Sequence, residues 1–200
     1  MQTPKLPGES SFSEKGSKFL GFLFPIQESS KADSALDKLS KRYKDSTHIC
    51  YAYRYHDQHN TSIIELKADA GEPSGTAGEP ILRQLQRHDI VDGALFVVRY
   101  FGGTKLGKGG LARAYSECAA QTIQASELQP FIFLNELSCE IDPAHVSLIR
   151  HLIDKAGGEV VNQLSDKRVR LEIKIPTNQL TDFKDSALSI TSGEIRFSDE

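Results

Sequence analysis

Ala94-Leu95-Phe96-Val97-Val98-Arg99-Tyr100-Phe101-Gly102-Gly103-Thr104-Lys105-Leu106-Gly107-Lys108-Gly109-Gly110-Leu111-Ala112-Arg113 joins an unbroken apolar run to a glycine-rich basic stretch and then to a segment with helical periodicity. The run from Ala94 to Phe101 reads as a buried strand, and Leu111 to Glu127 as a helix. Five glycines lie between them and let the backbone approach a ligand closely. The free N–H groups and positive dipole end of the following helix favour an anion. From Gly93 through Ser116 there are four basic residues, Arg99, Lys105, Lys108 and Arg113, and no carboxylate, which suits phosphate or a nucleic-acid backbone. The predicted phosphate or nucleic-acid site is therefore Arg99, Tyr100, Gly102, Gly103, Lys105, Gly107, Lys108, Gly109, Gly110, Arg113 and Tyr115. The alternative is a tight turn whose glycines serve packing. Gly102 to Lys108 also fits GxxxxGK, but Gly109 stands where a phosphate loop needs Ser or Thr for magnesium, and no strand ending in a metal-binding Asp follows.

Working outward, a second glycine-rich loop runs Asp69-Ala70-Gly71-Glu72-Pro73-Ser74-Gly75-Thr76-Ala77-Gly78. Its spacing forces a compact turn, and Asp69 and Glu72 are the nearby acids that could hold a cation or act as a base. Asp69, Gly71, Glu72, Pro73, Gly75, Thr76 and Gly78 form this second candidate set. His48 and Cys50 are two apart on a strand and share a face, either as a chemical pair or, with Ile49 and Tyr51 flanking, as packing. Tyr51, Tyr53 and Tyr55 share the opposite face from Arg54, as a base-stacking platform or as half-buried sheet packing. His56 and His59 fall in an expected polar turn from His56 to Asn60; His88, His145 and His151 stand alone at helix edges.

The rest of the first half reads as a Pro-rich arm, a strand Phe19–Phe24 and a helix with Ser30 and Asp33 in capping-box spacing. A hairpin of Ile49–Tyr55 with Thr61–Leu66 follows, and then a short helix opened by Pro80. After Pro130 the pattern is strand Leu137–Ile141, a helix from Pro143 stopped by Gly157-Gly158, strands Val160–Leu164 and Val169–Ile175, a helix carrying Leu180, Phe183 and Ala187, and a last strand with Ile195 and Phe197 facing in. That order, β-α-β-β-α-β, is ferredoxin-like. The fold expectation is α+β in two domains, residues 1–130 and 131–200.

Composition bounds the function. The 200 residues carry 24 Lys plus Arg against 27 Asp plus Glu, net −3, with 38% apolar positions, so the chain is neither disordered nor a bulk polyanion binder. The first 130 residues hold 16 basic and 15 acidic side chains, the remainder 8 and 12, and nine of 15 glycines fall between Gly71 and Gly110. The site is thus expected in the first half and scaffold in the second. The stretch Ala94–Val98 is far shorter than a membrane span, Met1 to Gly8 lacks a secretory pattern, and three widely spaced cysteines, Cys50, Cys118 and Cys139, suit a cytoplasmic protein without a disulfide framework or zinc site.

The two loops resemble the IMPACT/YigZ family, in which an Asp-Asp-Gly-Glu-Pro-Ser-Gly-Thr-Ala-Gly segment precedes Val-Arg-Tyr-Phe-Gly-Gly-x-x-Leu-Gly-x-Gly-Gly-Leu-x-Arg-Ala-Tyr. Here they are Gly71–Gly78 and Val98–Tyr115, with Ser17-Lys18-Phe19 and His48–Tyr53 also matching. Two departures stand out. Ala70 replaces the second Asp, which removes a member from any two-carboxylate scheme, and Lys108 is added to the glycine loop. The resemblance implies a first domain with a fold shared by a small-subunit ribosomal protein and elongation factor G, and a ferredoxin-like second domain. It also implies a translation-linked binding role: eukaryotic members bind a regulator of the kinase that controls translation initiation.

The functional expectation is a non-enzymatic RNA- or ribosome-associated protein that needs no cofactor or metal, with both loops shaping the groove. Two alternatives are an enzyme on a small phosphorylated substrate or nucleotide, with Glu72 and His48 as acid and base, and a protein-docking module.

Overall fold

The structure is a computed structural model, and it describes residues 1–57 and 62–199. The fold is mixed α and β, in two compact units, Met1–Phe131 and Ile132–Glu200. The first contains β1 (Gln2–Pro4), β2 (Gly8–Glu14), β3 (Ser17–Pro25), α1 (Ser29–Arg42), β4 (His48–Asp57), β5 (Ser62–Ala68), α2 (Gly78–Arg87), β6 (Gly93–Tyr100), α3 (Gly107–Gln124) and β7 (Leu128–Pro130). Its main sheet runs in the order β2-β3-β6-β4-β5, with every neighbour antiparallel.

β6 lies at the centre because it is apolar on both faces. Leu95 and Val97 meet Ile81 and Leu85 of α2 and Leu111, Cys118 and Ile123 of α3, while Ala94, Phe96 and Val98 meet Ala32, Ala35 and Leu39 of α1. The sheet is therefore covered by helices on both sides. Tyr53 is buried in the α1 layer, Tyr51 stacks on Phe96 and Tyr55 packs on Tyr53, so these rings serve sheet packing.

Several local expectations need correction. The Pro-rich arm is largely strand. β2 forms a hairpin with β3 across Lys15 and Gly16, both at positive φ, and β1 pairs with β7. Gly8-Glu9-Ser10-Ser11-Phe12-Ser13-Glu14 has one large apolar residue, so its strand form comes from backbone pairing to β3 rather than from side-chain pattern. The capping box on α1 does not form: Glu28 is the N-cap, with no side-chain cap bond, and Ser30 Oγ donates to its carboxylate at 2.6 Å. α3 begins at Gly107, before Leu111, so three glycines of the basic loop belong to its first turn. His56 is a strand residue whose N–H donates to Asp92 and whose ring lies 5.7 Å from Phe131. The rest of the expected turn, with His59, lies outside the described residues.

The second unit contains β8 (Leu134–Ile141), α4 (Val146–Lys155), β9 (Glu159–Ser165), β10 (Val169–Pro176), α5 (Leu180–Ile190) and β11 (Arg196–Asp199), with sheet order β11-β8-β10-β9. A 3₁₀ turn at Pro143–His145, capped by the Asp142 carboxylate, precedes α4. β10 alternates as its sequence dictates. Val169, Leu171, Ile173 and Ile175 enter a core with Ile149, Ile153, Phe183 and Ala187, while Lys174 on the other face pairs with Glu136 at 2.8 Å. Among the described residues, no helix is long and apolar enough to cross a membrane.

Gly21 of β3 lies where α3 packs closely on the sheet. A Cβ there would stand 1.9 Å from Thr122 Oγ1 and 3.1 Å from Cys118 Sγ, and Thr122 is buried and bonded to Ser10. Gly21→Ala is expected to destabilise the first unit by about 1–3 kcal/mol, read from urea unfolding.

Candidate functional site

The two glycine loops meet the same end of the sheet, where β6 finishes and β4 begins. The first leaves β5 through a turn at Asp69-Ala70-Gly71-Glu72, closed by a Glu72 N–H to Asp69 C=O bond of 2.9 Å. Ala70 and Gly71 both have positive φ, 46° and 90°, the pattern of a type I′ turn. Alanine in that region costs about 1–2 kcal/mol, whereas Asp, the family residue there, tolerates it better. The Asp69 carboxylate then accepts N–H bonds from Gly75 (2.8 Å), Ala77 (3.0 Å) and Gly78 (2.9 Å). It thereby caps α2. Burial pushes its pKa up, but the three backbone donors and Lys67 outweigh that and leave it below the ordinary value.

The turn aims Glu72 inward. Its carboxylate ion-pairs with Arg99 Nη1 and accepts the Tyr115 hydroxyl at 2.8 Å, and both charged side chains are more than nine-tenths buried. Cys50 completes the cluster, 3.3 Å from the Tyr115 hydroxyl and donating to Asp69 C=O at 3.0 Å. Burial raises the Cys50 thiol to about 12 and lifts the Tyr115 hydroxyl far above its usual value, so neither is a nucleophile near neutrality. Rings of Phe19 and Phe101 lie 5.6 and 5.7 Å from the Arg99 guanidinium, whose Nε is buried with no hydrogen-bond partner. His48 opposes Arg99 across the ladder and places Nδ1 2.9 Å from Ala70 C=O.

The second loop is anchored at its start: Phe101 N–H donates to Thr47 Oγ1 (2.9 Å) and Gly102 N–H to Ser17 Oγ (3.1 Å). Gly102 is packed so tightly on Gly16 that a Cβ would stand 1.9 Å from its carbonyl carbon. From there the loop turns outward. α3 starts with no side-chain cap and no acid in its first turn, and Lys105, Lys108 and Arg113 are exposed around it. Gly103 and Gly107 are required by φ of 85° and 68°. Gly109 has neither a positive φ nor a tight neighbour, its nearest contact being the tip of Arg113 at 3.6 Å.

The expected anion set therefore divides. Gly102, Gly103, Lys105, Gly107, Lys108, Gly109 and Arg113 are exposed, and Gly110 is half-buried behind them. Arg99 and Tyr115 are interior, which corrects their placement at a solvent-facing phosphate site; the period of two along β6 puts Arg99 on the face of Leu95 and Val97 and so foretells its burial. Tyr100 lies on the α1 face, 3.3 Å from Asp45. In the other loop, Thr76 Oγ1 bonds Pro73 C=O and Gly78 abuts Ala68 backbone, so these residues shape the turn. Sequence reading missed Thr47 and the anchoring use of Ser17. Among the described residues, no three His, Cys, Asp or Glu side chains are grouped to hold a metal.

The model of the Impact N-terminal domain matches residues 15–123, from the β2–β3 turn to the end of α3, and so contains both loops. The chain belongs to the IMPACT family. Family member YvyE of Bacillus subtilis is 37% identical over 119 residues, 60% of this chain and 54% of YvyE. Family member YigZ of Escherichia coli is 26% identical over 182 residues, 91% of this chain and 89% of YigZ. A crystal structure described as that of an hypothetical protein covers 100% of this chain and 96% of its own, with a TM-score of 0.75 at 24% identity, so the fold is shared.

Glu72→Ala would leave the Arg99 charge buried and unpaired, an expected loss of about 3–5 kcal/mol in urea unfolding, and the paired change Glu72→Leu with Arg99→Met is expected to recover part of it. Asp69 is a separate test. Its lowered folded pKa means the stabilisation is present above the unfolded carboxylate pKa and is lost as pH falls through the folded one. Asp69→Asn should flatten the fall of unfolding free energy between about pH 5 and pH 2.

Proposed function

We propose that this protein is a non-enzymatic RNA- or ribosome-associated factor with a role linked to translation, and that it contacts the phosphate backbone through the first turn of α3. The observation that carries this reading is the contrast between two helix starts on one sheet. α2 is neutralised by Asp69, whereas α3 has no cap, no acid and three exposed cations around it. Gly109 supports it further. A glycine in a helix costs roughly 1 kcal/mol relative to alanine, and no φ or packing demand accounts for this one, so close approach of a ligand to the backbone is the remaining reason. The translation link rests on family membership.

The finer domain reading belongs to the same proposal. We assign residues 1–130 to a ribosomal-protein-like domain and 131–200 to a ferredoxin-like one, the latter supported by the element order and the strand order β11-β8-β10-β9.

A second reading has one specific support: an open cleft of about 870 Å³ beside the α3 start, bordered by Arg83, Arg87 and Arg113 and also by Glu14, Glu79 and Glu117, is large enough for a nucleotide-sized ligand. The contacts themselves separate the two. RNA binding is measured across a salt series for wild type and a Lys105→Ala, Lys108→Ala, Arg113→Ala triple variant. Wild type should bind with a log–log salt slope that the variant flattens by roughly 0.7–0.9 for each lost contact. No RNA binding together with a melting-temperature rise on adding nucleotides would replace this reading by the second.

A further inference from the structure

A strand at a sheet edge leaves a row of N–H and C=O groups unpaired, and proteins usually blunt such edges with charge, shortness or bulges. The two larger sheets here end in β2, β5, β11 and β9. β2 is nearly all Gly, Ser and Glu; β11 has four residues, beginning with Arg196; and the register between β9 and β10 shifts at Glu172/Ile173. β5 is neither short nor bulged, and its charges are confined to one face. Its seven residues, Ser-Ile-Ile-Glu-Leu-Lys-Ala, contain no proline and keep an unbroken register with β4 from Tyr51–Ala68 to Asp57–Ser62. On the α1 face Ile64 and Leu66 are 36% and 39% exposed, opposite Tyr55 and Tyr53. Its two charges lie on the other face and are held by their own chain: Glu65 by Arg54 and Gln86, Lys67 by Glu79.

We propose that β5 is a self-association edge, whose occupant is β5 of a second copy of this chain, antiparallel, with a two-fold axis at Leu66. That register sets Leu66 against Leu66 and Ile64 against Ala68 of the second copy. It also sets Glu65 against Lys67 in both directions, so that opposite charges, each still held by its own chain, lie next to one another across the seam. Centring the axis on Glu65 or Lys67 instead would oppose like charges, and centring it on Ile64 would forgo the Glu65–Lys67 match, so the Leu66 register is the one with complementary charges. α2 packs over both β4 and β5.

The test uses the full chain. Sedimentation velocity from about 1 µM to about 1 mM should show a concentration-dependent dimer. Leu66→Lys, which opposes two lysines on the axis, should return it to monomer with its melting temperature essentially unchanged. Directly opposed antiparallel residues have Cα atoms about 4.5–5.5 Å apart, within disulfide range, whereas two copies of Ile64 would be about 14 Å apart. Leu66→Cys should therefore form a covalent dimer on mild oxidation and Ile64→Cys should not, the native thiols all being buried. A monomer throughout that concentration range, a dimer indifferent to Leu66→Lys, or equal cross-linking at both positions would overturn the proposal.

Discussion

The buried pairing of Glu72 with Arg99 is the constraint on which the site depends. Arg99 is fixed by strand periodicity on the interior face of β6, where an unpaired guanidinium would be untenable. The chain meets that demand from a distant loop, using a tight turn after β5 to drive one carboxylate inward. Tyr115 of α3 joins the same oxygen, so loop, central strand and second-layer helix are tied at one point. Cys50, bridging Tyr115 and the Asp69 carbonyl, closes the circuit through β4.

This arrangement separates two loops that look alike in sequence. Both are rich in glycine and both precede a helix, yet one is electrostatically closed and the other open. Asp69 satisfies the donors of α2 and Glu72 satisfies Arg99, so the acidic loop has its charge consumed within the protein. The basic loop is anchored at Phe101 and Gly102, after which Lys105, Lys108 and the first turn of α3 face solvent. An acid/base mechanism built on Glu72 would have to compete with Arg99 and Tyr115 for the same carboxylate oxygen.

What could be read from the residues followed from strong periodicities. Ala94–Val98, the alternation of Val169 to Ile175 and the Pro80 helix all signal themselves through burial patterns, and glycine spacing located both loops. What was illegible depended on partners remote in sequence. β2 is a strand because β3 offers it a ladder, and Ser30 faces Glu28 instead of capping α1 because that contact was available. Arg99 and Tyr115 stand beside exposed cations along the chain, yet the two-residue period of β6 sends Arg99 inward and Tyr115 lies on the buried side of α3.

The position of β6 also bears on how the chain acquires its fold during synthesis. β2–β3 and β4–β5 are hairpins of neighbouring segments, able to form soon after they leave the ribosome, but neither hairpin pairs with the other. β6, which joins β3 on one side and β4 on the other, emerges last of the five. Until then both hairpins hold an open edge bearing Phe19, Leu23, Cys50 and Ala52 without their eventual neighbours. Closure over such sequence separations is slow and leaves apolar surface exposed. Until β6 emerges the nascent chain therefore carries two open apolar edges, and one eight-residue strand covers both.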